Sequence, residues 1–185
     1  MVKLIAIDLI GVLAFEKDIE LSNEESKLER LFGPNISDTE YLKQASNIIN
    51  KDNKTVENIT KNIINKLYDI KDKDIFTKLK KDYPDIKLII ATNHVSYIKD
   101  FIHNNFNTTY LDNIIISSNI HKIKPNKDFY QYILDKYHLN PNELLFIDDN
   151  INNIESAKSL NINTIKIEKN NNLYLTIKDY LTTHK

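Results

Sequence analysis

No cysteine occurs among the 185 residues, which excludes disulfides and thiolate-held metals and suits a reducing compartment. Glycine is nearly absent as well. Only Gly11 and Gly33 are available for backbone conformations closed to other residues, so the abundant asparagines are expected to supply many left-handed turns. An excess of one charge is also missing. The 25 Lys and Arg against 26 Asp and Glu leave a formal net charge of −1, without the basic surplus that sequence-independent nucleic-acid binding needs. No apolar run approaches the ~20 residues of a membrane span. The first such run, Leu4-Ile5-Ala6-Ile7, is cut by Asp8 too early for a secretory signal. The chain is therefore expected to be soluble and cytoplasmic, without nucleic acid or membrane as a partner.

What remains is ordinary globular material, 41% hydrophobic and 28% charged. A chain of this length can bury roughly 70% of its unfolded surface in one core. Five short apolar runs, at 3–7, 87–91, 114–117, 144–147 and 164–167, are continuous rather than alternating. That pattern fits parallel strands covered on both faces. Helical periodicity separates them at 74–83, 96–106, 127–138 and 152–160. Strand and helix in alternation predict an α/β fold, a parallel sheet flanked by helices.

Residues 16–73 are different, with no convincing strand. Ser22-Asn23-Glu24-Glu25 and Ser37-Asp38-Thr39-Glu40 both fit a capping box, in which two side chains satisfy the first free amides of a helix. A third helix is expected over Val56, Ile59, Ile63, Ile64 and Leu67. The chain then divides into a core of residues 1–15 and 74–185 and a small helical cap, 16–73, inserted after the first strand.

In an open parallel sheet, ligands bind beyond the carboxyl ends of the strands. Those ends carry Asp8, then Thr92-Asn93, then Lys124-Pro125 after the third strand, then Asp148-Asp149 with Asn153 one turn further on. Each has a plain explanation when taken alone: Asp8 as a turn former, Thr92 or Asp149 as a helix cap, Lys124 as a solvated loop. Core packing does not select four polar groups at four successive strand ends. Together they predict one crevice that holds a carboxylate, a hydroxyl, an ammonium and an acidic pair.

The segments Asp8-Leu9-Ile10-Gly11-Val12-Leu13, Ile89-Ile90-Ala91-Thr92-Asn93, Lys124-Pro125 with Phe129-Tyr130, and Phe146-Ile147-Asp148-Asp149 with Asn153 are similar to the four motifs of the haloacid dehalogenase superfamily. The insert resembles the small helical cap of its subfamily I. Within it, the likeness runs to the glucose-1-phosphatase type of sugar-phosphate phosphatase and to the phosphatase half of soluble epoxide hydrolase. The resemblance implies a Rossmann-like core and a Mg²⁺-dependent phosphatase that acts on a small phosphorylated metabolite. It also implies the residue roles. Asp8 attacks phosphorus and becomes an aspartyl-phosphate. Thr92 and the amide of Asn93 hold phosphate oxygens, with Lys124 neutralising them and the nucleophile. Mg²⁺ is held by Asp8, the backbone carbonyl of Ile10 and Asp149, with Asp148 either direct or supporting and Asn153 in support. A monomer is the favoured state.

One position departs from that pattern. Most phosphatases of the superfamily carry a second Asp two residues after the nucleophile as general acid and base, and here that residue is Ile10. Its loss removes a group typically worth about 10²–10⁴ in rate. Three readings stay open: a phosphatase with another proton source, such as Glu16, Asp18 or water; a 2-haloacid dehalogenase; or a degenerate fold kept for binding or interaction. His94 is expected to touch substrate or to sit on a helix surface. The loop before Lys124 is expected to differ in shape, because His121 stands where relatives often have Gly. Tyr130, Tyr132 and Tyr137 are expected in the core and on a helix surface.

Overall fold

The computed structural model describes residues 1–33 and 36–184. Pro34 and Asn35, inside the expected insert, lie outside the described residues. The strands are β1 (Leu4–Ile7), β2 (Ala14–Glu16), β3 (Tyr68–Ile70), β4 (Lys87–Thr92), β5 (Asn113–Ile116), β6 (Leu144–Asp148) and β7 (Asn163–Lys166). The helices are α1 (Asn23–Glu29), α2 (Asp38–Ile49), α3 (Asn53–Leu67), α4 (Ile75–Asp82), α5 (Ile98–Asn105), α6 (Ser117–Ile120), α7 (Lys127–Tyr137), α8 (Ile151–Lys158) and α9 (Leu173–Thr183). Five strands form one parallel sheet in the order β5-β4-β1-β6-β7, the α/β architecture that the sequence predicts.

Register follows from the apolar runs. Ile7 pairs with Ile90 on one side and Ile147 on the other, so the ends of β1, β4 and β6 come level. Alternate side chains of these strands serve opposite faces. Ile5, Ile7, Ile90 and Ile147 join Phe76, Leu79, Phe101, Ile102 and Ile177 from α4, α5 and α9. Leu4, Ala6, Ile89 and Phe146 join Phe129, Tyr130, Ile133 and Ala157 from α7 and α8. Each large aliphatic side chain so buried stabilises by roughly 1.5–3 kcal/mol, and this double cover makes the strands apolar along their whole length.

Gly11 and Gly33 both take positive φ, and so do Asn50, Asn161, His121 and His138. Asparagine thus supplies some of the left-handed turns and histidine the others. His121 occupies the conformation that a glycine would take, so the loop before Lys124 keeps a glycine-like bend there. α4 stops at Tyr83 because Pro84 follows, and a residue before proline is driven out of the helical region.

The helices α1, α2 and α3 pack on one another, and α3 also packs on α5. Their buried residues Leu28, Tyr41, Ala45, Val56, Ile63 and Ile64 join the same apolar cluster as the α5 face of the sheet. Ser22 and Glu25 close a full capping box. Ser37 caps Glu40 N, but the Glu40 carboxylate takes Gln44 instead of completing the box. The expectation of a strand-free insert is corrected: Tyr68–Ile70 pairs antiparallel with Ala14–Glu16, and the three helices sit between these two strands. A three-residue strand whose partner lies across the whole insert is too short to show an alternating pattern. The helices α6 and α9 were not foreseen either. No helix among the described residues is long and apolar enough to cross a membrane.

Candidate active site

Level strand ends put four groups in reach of one another. Asp8 directly follows β1, Thr92 closes β4, Asp148 closes β6 and Asp149 follows it. Lys124 arrives from the segment between α6 and α7. Its ammonium, only 1% exposed at the side chain, lies 2.8 Å from Asp8 Oδ1 and 2.8 Å from Asp148 Oδ2. Asp8, Ile10, Thr92, Asn93, Lys124, Asp149, Asn150 and Asn153 line a cleft of about 260 Å³. Every group expected at the site except the fully buried Asp148 lines that cleft. Neither Glu16 nor Asp18 does. A larger crevice of about 410 Å³ lies between the turn at 11–13 and the segment 170–174, but it holds none of the strand-end residues.

Asp148 and Asp149 are adjacent yet differently employed. Asp148 is fully buried; Asn153 Nδ2 donates to both of its oxygens at 3.0 and 3.1 Å, Asn150 N to Oδ1 at 2.8 Å, and Lys124 to Oδ2. Asn153 is itself fixed, since its backbone carbonyl accepts from the Tyr130 hydroxyl at 2.9 Å. Asp149 stands exposed at the rim. Oxygens of Asp8, Asp148 and Asp149 lie within 4.8 Å of one another, a spacing that could hold a metal ion.

The turn after Asp8 is shaped around this trio. Leu9 N donates to Asp8 Oδ1 at 2.7 Å. Ala14 N bonds Leu9 O and Gly11 N bonds Ala14 O, a bridge in which the carbonyl of Ile10 takes no part. Gly11 has φ +93°, and a Cβ there would lie 2.4 Å from Asp149 Oδ2. A side chain at this position would occupy the volume of the carboxylate.

Three carboxylates face one ammonium, and the proton affinities show the imbalance. Burial pushes Asp8 up to about 7; Lys124 opposes this and the charge of Asp148 adds to it. Asp149 is also raised, by burial and then by Asp148. Burial works against the charge on Lys124, but Asp8 and Asp148 outweigh it and hold the ammonium above its ordinary value. The cleft therefore carries more negative charge than Lys124 can neutralise. A hard divalent cation fits that donor set, in which every candidate ligand atom is oxygen.

The sequence profile of haloacid dehalogenase-like hydrolases matches residues 7–167, most of the chain. The chain belongs to this family. Solved members share its fold at low identity. A predicted hydrolase of the family from Porphyromonas gingivalis is 21% identical, with a TM-score of 0.76 over 98% of each chain. A family enzyme from Bacteroides thetaiotaomicron, solved with magnesium and inorganic phosphate, is 17% identical with a TM-score of 0.71, over 95% of this chain and 99% of its own. L-2-haloacid dehalogenase from Xanthobacter autotrophicus, solved with chloropropionic acid covalently bound, is 14% identical with a TM-score of 0.60, over 100% of this chain and 84% of its own.

One residue of this haloacid dehalogenase-like hydrolase lies otherwise than expected. His94 neither lines the cleft nor reaches the surface. It is buried between Phe32 and Tyr68, with Nδ1 against Val95 O at 3.1 Å and the Tyr68 hydroxyl 3.3 Å from Nε2. The Asn93 side chain bonds the backbone of Lys124. Asn150, for which the sequence suggests no role of its own, lines the cleft and caps α8 through Asn152 N. Its place beside the acidic pair was the available signal. Tyr130 is buried as expected, and the Tyr137 hydroxyl accepts from Asn113 at 3.1 Å.

Proposed function

We propose that this hydrolase is a Mg²⁺-dependent phosphatase of small phosphorylated metabolites. The carrying observation is the trio of carboxylates at level strand ends, with oxygens within 4.8 Å and one buried ammonium among them. Asp8, Asp149 and the backbone carbonyl of Ile10 would hold the cation, while Asp148, its oxygens engaged by Lys124, Asn153 and Asn150, holds Lys124 in place. Bound there, Mg²⁺ supplies the positive charge that lets a carboxylate approach a phosphate dianion. Support comes from the similar Bacteroides enzyme, solved with magnesium and inorganic phosphate.

In the proposed reaction an oxygen of Asp8 forms a bond to phosphorus as the bond to the leaving oxygen breaks, and that oxygen departs with the electron pair. Thr92 and the backbone amide of Asn93 hold the phosphoryl oxygens, and Lys124 offsets their charge. Water then attacks the phosphorus of the aspartyl-phosphate, which frees inorganic phosphate and regenerates the carboxylate. Ile10 stands where the usual second Asp would protonate the leaving oxygen, and among the described residues neither Glu16 nor Asp18 lines the cleft to replace it. Aryl and acyl phosphates, whose oxygens leave unprotonated, are therefore the preferred substrates. The segment 16–73 acts as the cap that excludes water, and a cytoplasmic monomer belongs to the same proposal.

Ile10 favours a second reading, a 2-haloacid dehalogenase, since dehalogenases of the superfamily also lack the second Asp. The test sets an aryl phosphate against 2-chloropropionate, with Mg²⁺ and with EDTA. The proposal expects aryl phosphate turnover with Mg²⁺ alone, its loss by at least ~10³-fold in Asp8→Asn, and a phosphoryl group on Asp8 in quenched wild type. Haloacid turnover indifferent to EDTA would establish the second reading. No turnover of either substrate, with phosphate still bound, would point to a binding protein.

A further inference from the structure

The segment from His121 to Asn126 carries Lys124 but belongs to no strand or helix. Its peptide groups have little local support, because Pro125 has no N–H and the turn bond within the segment runs from Asn126 N to Ile123 O. The backbone of Lys124 is held from outside. Lys124 N donates to Asn93 Oδ1 at 3.0 Å, and Asn93 Nδ2 donates to Lys124 O at 2.9 Å. A carboxamide has one acceptor and one donor face, so it can pair with a single residue's N–H and C=O as a neighbouring strand would. Asn93 follows the last residue of β4, and its side chain thus carries the edge of the sheet across to this loop.

We infer that Asn93 is a positioning residue for Lys124: its amide clamps the lysine backbone so that the ammonium stays between Asp8 and Asp148. A lysine side chain has four rotatable bonds and reaches many places from a loose backbone. Here Nζ must stand 2.8 Å from two carboxylates at once while almost wholly buried, which requires a fixed origin for the side chain. The clamp itself is independent of the phosphatase reading; its effect on turnover rests on that reading. The Oδ1 acceptor and one of the two Nδ2 hydrogens of Asn93 are thus committed to Lys124, and the contribution proposed for Asn93 to substrate comes from its main-chain amide.

The test uses Asn93→Ala, which removes both bonds, and Asn93→Asp, a near-isostere that keeps the acceptor and sets a carboxylate oxygen against Lys124 O. Three readouts separate the possibilities: exchange of the Lys124 amide proton by NMR, labelling of Lys124 by a water-soluble amine reagent read by peptide mass spectrometry, and kcat and KM for an aryl phosphate with Mg²⁺. In Asn93→Ala, Lys124 amide exchange should rise about tenfold against an unchanged background elsewhere. Lys124, shielded in wild type, should become labelled. The kcat should fall about 10²-fold with KM moved little, the signature of a displaced group rather than a lost substrate contact. Asn93→Asp should keep the amide protected yet still label and lose kcat. Unchanged exchange and labelling in both variants would overturn the inference. So would a rise in KM and weaker inorganic phosphate binding with Lys124 still shielded, which would make Asn93 a direct phosphate ligand. If wild type turns over no phosphate ester, the function reading fails, while exchange and labelling still decide the clamp.

Discussion

The sheet core and the helical lobe of 23–67 spend their polar residues differently. Among the described residues, the buried polar and charged side chains are Asp8, Thr60, Thr92, His94, Ser117, Ser118, Lys124, Asp148 and Asn153. Of these only Thr60 lies in the lobe. The lobe's ion pairs, such as Lys51–Glu24 and Lys66–Glu25, sit in solvent, whereas Lys124 lies between two carboxylates almost without water. Exposed pairs add little to stability, and a buried charge is tolerable only while its partners remain. The lobe is therefore held by apolar packing, and the core accepts an unstable charge arrangement because chemistry needs it there.

The largest contrast should come from removing one lysine in each region. Lys124→Met leaves Asp8 and Asp148 buried together without their cation, and should cost roughly 3–5 kcal/mol of unfolding free energy in urea. Lys51→Met, which breaks an exposed pair with Glu24, should cost less than about 0.5 kcal/mol. Equal losses would mean that the core carboxylates are protonated together or that water screens Lys124, and the comparison would fall.

His94 tests the seam between the regions, since Phe32 and Tyr68 cover it from the lobe side and the hydroxyl of Ser117 accepts from its backbone N–H at 3.0 Å on the core side. Burial pushes the imidazole from 6.5 to about 4, against the pull of the Val95 carbonyl and of Asp38. Between those values the unfolded chain binds a proton that the folded chain refuses. The stability from a neutral His94 is thus complete above pH 6.5 and is lost as pH falls towards 4, at up to about 1.4 kcal/mol per pH unit. His94→Phe should flatten the acid limb of stability by about one proton in that window, followed by urea titration at several pH values. An unchanged slope would show that the seam opens before the imidazole charges.

The two glycines make a smaller pair. A Cβ on Gly11, in the core, would run into the Asp149 carboxylate; one on Gly33, in the lobe at φ +85°, would stand at 3.4 Å from Asn93 O, an ordinary contact. Gly33→Ala should cost only backbone strain, about 1–2 kcal/mol. Gly11→Ala should cost at least as much and in addition lose Mg²⁺-dependent turnover, because Asp149 must move. Retained turnover in Gly11→Ala would remove Asp149 from the proposed metal site.

How far the sequence could be read follows the same division. The strands of the main sheet lie within one residue of their expected ends, because burial on both faces demands unbroken apolar runs such as Leu4-Ile5-Ala6-Ile7. Placing Asp8, Thr92 and Asp149 together needed only those strand ends, and Lys124 joined them from the segment that follows the third strand. The short antiparallel pair of β2 and β3 was hidden because its two strands are three residues each and lie far apart in sequence. The helix α9 was legible in principle: Leu173, Ile177, Tyr180 and Leu181 keep helical spacing, and Asn172 caps the start. The clamp on Lys124 was not. Nothing in Thr92-Asn93 tells whether the amide faces ligand or loop, since that choice depends on where a chain segment 31 residues away returns.

The smallest effect belongs to the lobe's own interior. Tyr41 is fully buried, and its hydroxyl lies 2.6 Å from Thr60 Oγ1, which donates in turn to Val56 O at 2.8 Å. With its hydrogen directed to the Val56 carbonyl, the Thr60 hydroxyl can only accept, so Tyr41 is the donor. Burial holds the phenol at about 12, so it stays protonated and the bond persists across the working pH range. Tyr41→Phe keeps the ring and removes one hydrogen bond, which leaves Thr60 Oγ1 still bonded to Val56. The expected loss is about 1 kcal/mol, the usual net value of one buried bond. Thr60→Val should cost more, because it strands the Tyr41 hydroxyl without an acceptor in an apolar setting. Thermal unfolding of both single variants and the double closes the cycle, with the double expected to lose less than the sum. A strictly additive cycle would mean that the two hydroxyls do not bond, and that the ring of Tyr41 is held by apolar packing alone.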